Sequence, residues 1–330
     1  MTTIYKTMRH VGRRGRAVLL MMAALALMLA VAPASAMQDQ PTVRVGSKDF
    51  TEQVILGELL SLMLEDAGFE VERQLNLGGT DIVHQALVSG ELDTYVEYTG
   101  TGLLAILNLE LPATPAAGAT PAAATPDAAT PGASTGVDAV YEIVSQEYES
   151  QFGLQWLDPL GFNNTYTLAM RQEQAAELGV TKISDLQGIE GDLRFGGTQE
   201  FLVRPDGLPG LSETYGLEFS DPQGLDPGIL YQAVDSEEVD VISAFATDGR
   251  IPALGLVTLQ DDLGFFPPYF AAPVVSQELL DQAPEVEEIL NQLGGMIDDQ
   301  TMADLNAQVD SDGEEAEDVA RGFLEEQGIL

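Results

Sequence analysis

One aromatic ring and one hydroxyl stand three residues apart in Glu97-Tyr98-Thr99-Gly100-Thr101-Gly102. They follow a short β-branched and aromatic run, Leu92-Asp93-Thr94-Tyr95-Val96, that reads as a strand. The two glycines let the backbone turn sharply and let another group come close. Such a corner offers a π face to a cation with no proton to donate, and an alcohol to an oxyanion. An ordinary strand end with a buried tyrosine fits the same stretch. A second chemical position is Lys48, in Gly46-Ser47-Lys48-Asp49-Phe50. The alternating strand Thr42-Val43-Arg44-Val45 leads into this turn and a helix leaves it. Lys48 therefore lies near a positive helix end, a favourable place for an anion, although a solvated surface lysine fits equally.

Catalytic and metal chemistry is thinly supplied. The chain has no cysteine, and His84 is the one histidine after the first 36 residues. Neither a histidine metal cluster nor a serine–histidine pair is easily built from that, so no catalytic residue, metal or cofactor is expected. Asp310-Ser311-Asp312-Gly313 resembles a calcium loop only superficially, because its glycine falls two positions early. It reads as a polar connection between helices. Asp49, Glu52, Glu97 and Asp248 could supply paired carboxylates to an acidic secreted hydrolase, the main alternative from another class.

Residues 1–36 read as an export leader: Lys6, Arg9, Arg13, Arg14 and Arg16 precede the apolar run Ala17 to Ala32, and Ala34-Ser35-Ala36 is a small-residue cleavage site. The run is short for a bilayer span, so removal after Ala36 is expected rather than a permanent anchor. Export to the periplasm or the outer face of the membrane follows, with no lipid anchor because there is no cysteine. Without the leader, nine lysines and arginines face 53 acids, a net charge of −44. Nucleic acid and anionic lipid are poor partners for such a surface, whereas a cationic or zwitterionic small molecule is tolerable.

The elements that must position these groups alternate strand and helix, which argues an α/β fold with largely parallel pairing. The helix after Lys48 has Asp49 as its expected cap and Glu52 in the reciprocal capping-box position; Ile55, Leu59, Leu62 and Met63 form its apolar stripe, and Gly68 stops it. A strand Phe69 to Leu75 reaches Gly78-Gly79-Thr80, and a helix Asp81 to Ser89 follows. Residues 112–136 shift to Ala, Thr, Pro and Gly, cannot bury a core, and read as an insertion within one lobe. A new α/β unit begins near Trp156-Leu157-Asp158-Pro159, with a strand Leu193 to Gly196, a helix around Leu230 to Val234 and a strand Val239 to Phe245. From Gln277 onward the chain reads as helical and acidic.

Six segments, Gly46-Ser47-Lys48-Asp49-Phe50-Thr51-Glu52-Gln53, Glu97-Tyr98-Thr99-Gly100-Thr101, Asn163-Asn164-Thr165-Tyr166, Arg204-Pro205-Asp206-Gly207, Thr247-Asp248-Gly249-Arg250 and Phe266-Pro267-Pro268-Tyr269, occur in one order. In that order the chain resembles the glycine betaine/choline substrate-binding proteins of ABC importers. The resemblance implies a two-lobed α/β fold, the type II periplasmic-binding-protein-like fold, with the ligand in the inter-lobe cleft. Lobe one would be 37–158 with 267–330, and lobe two 159–266. Tyr98, Tyr166, Phe245 and Tyr269 would box a quaternary ammonium, with Asn164 lining that end, while Lys48, Thr101 and Arg204 would hold a carboxylate. The implied partners are a quaternary amine, glycine betaine or proline betaine before choline or carnitine, and an ABC permease, with the chain acting as a monomer and no nucleic acid bound. Two positions depart from the family's pattern: Phe245 stands where a tyrosine is common, and Asn164 where some members carry aspartate. A sensory or adhesive module using the same cleft fits these residues too.

Overall fold

Two five-stranded mixed sheets organise the chain, and the strands that leave one for the other carry most of the residues of interest. The computed structural model describes residues 40–111 and 136–330. The leader 1–36 and all of the 112–136 insertion except Gly136 lie outside the described residues.

In the first sheet the order is β2-β1-β3-β10-β4. Strand β1 (Val43–Gly46) runs parallel to β2 (Val71–Gln74) and to β3 (Thr94–Tyr98). Strand β10 (Ala271–Ser276) is antiparallel to β3 and to β4 (Leu154–Trp156). The second sheet repeats the plan as β7-β6-β8-β5-β9. Here β6 (Phe195–Thr198) is parallel to β7 (Gln223–Leu225) and β8 (Val241–Phe245), and β5 (Tyr166–Arg171) is antiparallel to β8 and β9 (Leu256–Leu259). Parallel neighbours need helical crossovers, and those helices cover the sheet faces. This is a two-lobed α/β fold of the type II kind.

Two segments pass between the sheets, 157–165 and 260–270, and they touch at an antiparallel bridge between Asn163 and Phe270. Register then does the positioning. Tyr166 opens β5 directly opposite Phe245, the last residue of β8. Ala271 opens β10 opposite Tyr98, the last residue of β3, which brings Tyr269 to the same end.

The helix Thr51–Asp66 lies deep in the core, with Ile55, Leu56, Leu59 and Leu60 fully buried. Its expected stripe of Ile55, Leu59, Leu62 and Met63 is buried as well. Its expected cap is not. Phe50 occupies the cap position with no side-chain hydrogen bond, and Glu52 turns away from the backbone into a buried polar cluster. Four better donors out-compete the single backbone amide of a capping box. Strand β2 begins two residues later than expected because Gly68, at φ 95°, and Phe69 complete the helix end, the Phe69 amide donating to the Leu64 carbonyl. The turn at Asp310-Ser311-Asp312-Gly313 joins the helices Asp299–Asp310 and Ala316–Gln327.

Candidate functional site

A cavity of about 230 Å³ lies between the two sheets, and all eight side chains singled out from the sequence line it. Tyr98 and Thr101 come from the end of β3, Lys48 from the turn after β1, Asn164 and Tyr166 from one crossing segment and Tyr269 from the other. Phe245 ends β8, and Arg204 follows β6. Gly100 makes room for this assembly: a Cβ there would lie 2.7 Å from the Tyr269 ring.

The rings form a continuous arc. Phe50 stacks on Phe245 (centroids 5.4 Å apart, planes 6° from parallel) and on Tyr98 (6.3 Å, 24°). Tyr166 lies 5.0 Å from Phe245 and meets Tyr269 edge-on at 5.6 Å. Hydroxyls fix two of the tyrosines. The Tyr98 phenol donates to Glu52 Oε1 (2.7 Å) and accepts from Gln53 Nε2 (3.0 Å), and the Tyr269 phenol donates to Asp206 Oδ2 (2.7 Å). Burial pushes the Tyr98, Tyr166 and Tyr269 phenols above their ordinary range, so all three stay neutral at physiological pH. Phe245 lacks a hydroxyl to anchor it, and its ring lies flat against Phe50. Phe50 went unnoticed in the sequence as a ring of the arc, although it sits in the same segment as Lys48.

At the donor end the structure alters the expectation. The Lys48 ammonium is buried against Glu97, Nζ donating to Oε1 at 2.6 Å, and lies 5.2 Å from the Tyr98 ring. Glu97 also accepts from the Tyr98 amide and the Tyr95 phenol. Lys48 thus neutralises an internal acid while still lining the cavity. Arg204 is likewise braced: Nε donates to Asp206 Oδ1 (2.8 Å), and Nη2 to Asp206 Oδ2 and to Thr101 Oγ1 (3.2 Å). Its Nη1 makes no hydrogen bond among the described residues and has the Glu200 carboxylate 3.8 Å away. A held guanidinium with one free edge suits a carboxylate in a fixed place. The i,i+2 spacing of Arg204 and Asp206 was a readable sign of this brace.

Glu200 also joins the two halves. Its Oε1 accepts from the Thr80 amide at 2.6 Å, at the open N-terminus of the helix Thr80–Val88. A Cβ on Gly79 would fall 2.2 Å from that oxygen, so a side chain there would displace the Glu200 carboxylate from the Thr80 amide.

Glu52 is 3% exposed and accepts four hydrogen bonds. Tyr98 and Asn164 Nδ2 (2.8 Å) reach Oε1; Thr247 Oγ1 (2.5 Å) and Asn306 Nδ2 (3.1 Å) reach Oε2. Burial raises its carboxyl above the ordinary value, against the pull of these donors. Three of the four acids that a hydrolase would use are committed elsewhere, Glu52 and Glu97 to this internal bonding and Asp248 to Arg250. That leaves Asp49 on the cavity without a partner among the four for paired acid chemistry.

The profile of the substrate-binding domain of ABC-type glycine betaine transport systems matches residues 41–326. The chain is 36% identical over 306 residues to the ergothioneine transport permease/ergothioneine binding protein EgtU of Helicobacter pylori (strain G27), covering 92% of this chain and 51% of that one. It thus spans about half the length of that relative. It is 35% identical over 308 residues to the glycine-betaine-binding protein of Pseudomonas aeruginosa strain PAO1, with 90% and 91% of the two chains covered. Among solved structures, a glycine betaine/carnitine/choline ABC transporter protein superposes with a TM-score of 0.66 at 30% identity, over 87% of this chain and 99% of that one.

Proposed function

The chain belongs to the substrate-binding domains of ABC-type glycine betaine transport systems, and from that premise we propose that it captures a zwitterionic quaternary amine, glycine betaine or proline betaine foremost. It is a binding protein of an importer and not an enzyme. Proteins of this kind work outside the cytoplasm and deliver a small molecule to a permease. No helix among the described residues is long and apolar enough to cross a membrane.

The observation that carries the reading is the arc of rings and the braced guanidinium on one cavity. A trimethylammonium has no hydrogen to donate, so ring faces are what can grip it, at roughly 0.5–2 kcal/mol each. Tyr98, Tyr166, Phe245 and Tyr269 supply those faces, Phe50 backs them, and Asn164 lines that end. Arg204 Nη1 and the Thr101 hydroxyl receive the carboxylate, with Lys48 cancelling the Glu97 charge that would repel it. The lobes are 37–158 with 267–330, and 159–266; they close on the ligand about the Asn163–Phe270 bridge. The protein acts as an exported monomer.

A second reading is a larger betaine with its own hydrogen-bond donor, such as carnitine or ergothioneine. Glu200, Asp226, Gln199 and Thr198 favour it, because they line the cavity with acceptors that glycine betaine cannot use. Choline would leave Arg204 Nη1 unmet. Calorimetric titration with these five ligands separates the cases. Micromolar or tighter binding of a carboxylated betaine, with choline at least tenfold weaker, is expected. Tighter binding of choline, or no binding of any trimethylammonium, refutes the reading.

A further inference from the structure

Seven acidic side chains are buried among the described residues, and six of them lie within ion-pair distance of an arginine or lysine. The seventh is Glu52, which has no cation within 4.0 Å. A buried carboxylate without a cation is costly, and such groups persist where a charge is needed. What holds it is neutral: two amides, a phenol and an alcohol, drawn from β3, a crossing segment, the loop after β8 and the helix Asp299–Asp310. The helix Thr51–Asp66 adds its positive end, since Glu52 is its second residue.

The donors also fix the direction of these bonds. Gln53 Nε2 donates to the Tyr98 phenol oxygen, which leaves the phenol proton for Glu52. Asn306 Nδ2 is shared between Glu52 and the Thr247 carbonyl (2.9 Å), so that amide presents its NH₂ to both acceptors. The arrangement is built around an anion.

That anion stands directly behind the wall of the cavity. Two of its four donors, Tyr98 and Asn164, line the cavity themselves. A void of about 20 Å³ touching Glu52 shares Phe50, Asn164 and Phe245 with the main cavity. Between carboxylate and cavity there are aromatic rings and one amide, a medium that screens charge far less than water.

We propose that Glu52 is the counter-charge of the ligand's cationic head, a specificity-determining residue that acts across the wall of Tyr98 and Asn164 without touching the ligand. This rests on the reading that the ligand is a quaternary ammonium zwitterion. The six paired acids have their cations in the chain, and the seventh has its cation in the ligand. Glu52 thereby separates a permanently cationic head from a neutral head of the same shape, a distinction that ring contacts make only weakly.

The test uses the full chain and its Glu52→Gln and Glu52→Asp variants, titrated with glycine betaine and with 3,3-dimethylbutanoate. That compound replaces the trimethylammonium by an uncharged tert-butyl group of the same shape. Glu52→Gln should weaken glycine betaine by about 10- to 30-fold, the size of one charge–charge interaction across several ångströms of protein, and leave the carbon isostere unchanged. Parallel losses for both ligands would mean a merely structural role and overturn the proposal, as would unchanged glycine betaine binding. Should the isostere bind too weakly to measure in every variant, Glu52→Asp decides. Recovery of glycine betaine binding relative to Glu52→Gln supports the counter-charge, and equal loss in both variants overturns it. Failure of the unmodified chain to bind any betaine would instead sink the parent reading.

Discussion

Lys48→Met separates the role read from the sequence from the role read from the structure. If Lys48 serves a ligand carboxylate, its removal costs affinity and little stability. The structure places it 2.6 Å from Glu97, with both side chains almost wholly buried. At an effective dielectric near 20 the gross attraction over that distance is about 6 kcal/mol, offset by the cost of drying both ions. Removing one member leaves Glu97 charged, buried and unpaired, which typically costs about 3–5 kcal/mol. Glu97→Gln in the same background should recover most of the loss, because the glutamine oxygen can still accept from the Tyr98 amide while its NH₂ donates to the Tyr95 phenol oxygen, which turns its own proton away. The assay is denaturant unfolding without ligand for the parent, both single variants and the double variant, closed as a double-mutant cycle. A coupling energy above about 2 kcal/mol is expected. A Lys48→Met protein that loses less than about 1 kcal/mol of stability but most of its betaine affinity would return Lys48 to the ligand carboxylate and rule out the buried pair as its main role.

Further outcomes follow from the same geometry. Tyr98→Ala or Tyr269→Ala should weaken betaine at least tenfold, as each removes a ring face of the arc; calorimetry on samples with native far-ultraviolet spectra checks this. Arg204→Ala should reduce affinity for glycine betaine by more than for choline, because only the former has a carboxylate to meet Nη1; equal losses would count against that contact. Asp262 bears on acid stability: hydrogen bonding from the Ser184 hydroxyl, with Lys182 beside it, lowers its carboxyl from 3.8 to about 2. The folded value is the lower one, so its contribution is present above about pH 4 and is lost as pH falls toward 2. Asp262→Asn should flatten the stability profile in that window, measured by denaturant midpoint against pH.

The site was legible where short segments carried a chemical pattern. Tyr98, Thr101, Tyr166, Arg204 and Tyr269 each lay in a recognisable stretch, and all line the cavity. Less legible was what each side chain would choose once packed. Lys48 and Glu97 are 49 residues apart, and only the adjacency of β1 and β3 makes them partners. Glu52 had the spacing of a capping box, but its alternatives come from Asn164, Thr247 and Asn306, which no local pattern reveals. Phe50 was hidden for another reason: stacking on Phe245 depends on how the two sheets face each other, and strand periodicity says nothing about that.

The grip of Glu200 on the Thr80 amide is made by protein atoms alone. On the proposed closure of the two lobes, such a contact would favour the shut form even without cargo, and apparent affinity scales with the shut fraction. On that same closure, loosening this contact would lower that fraction without touching the rings that face the ligand.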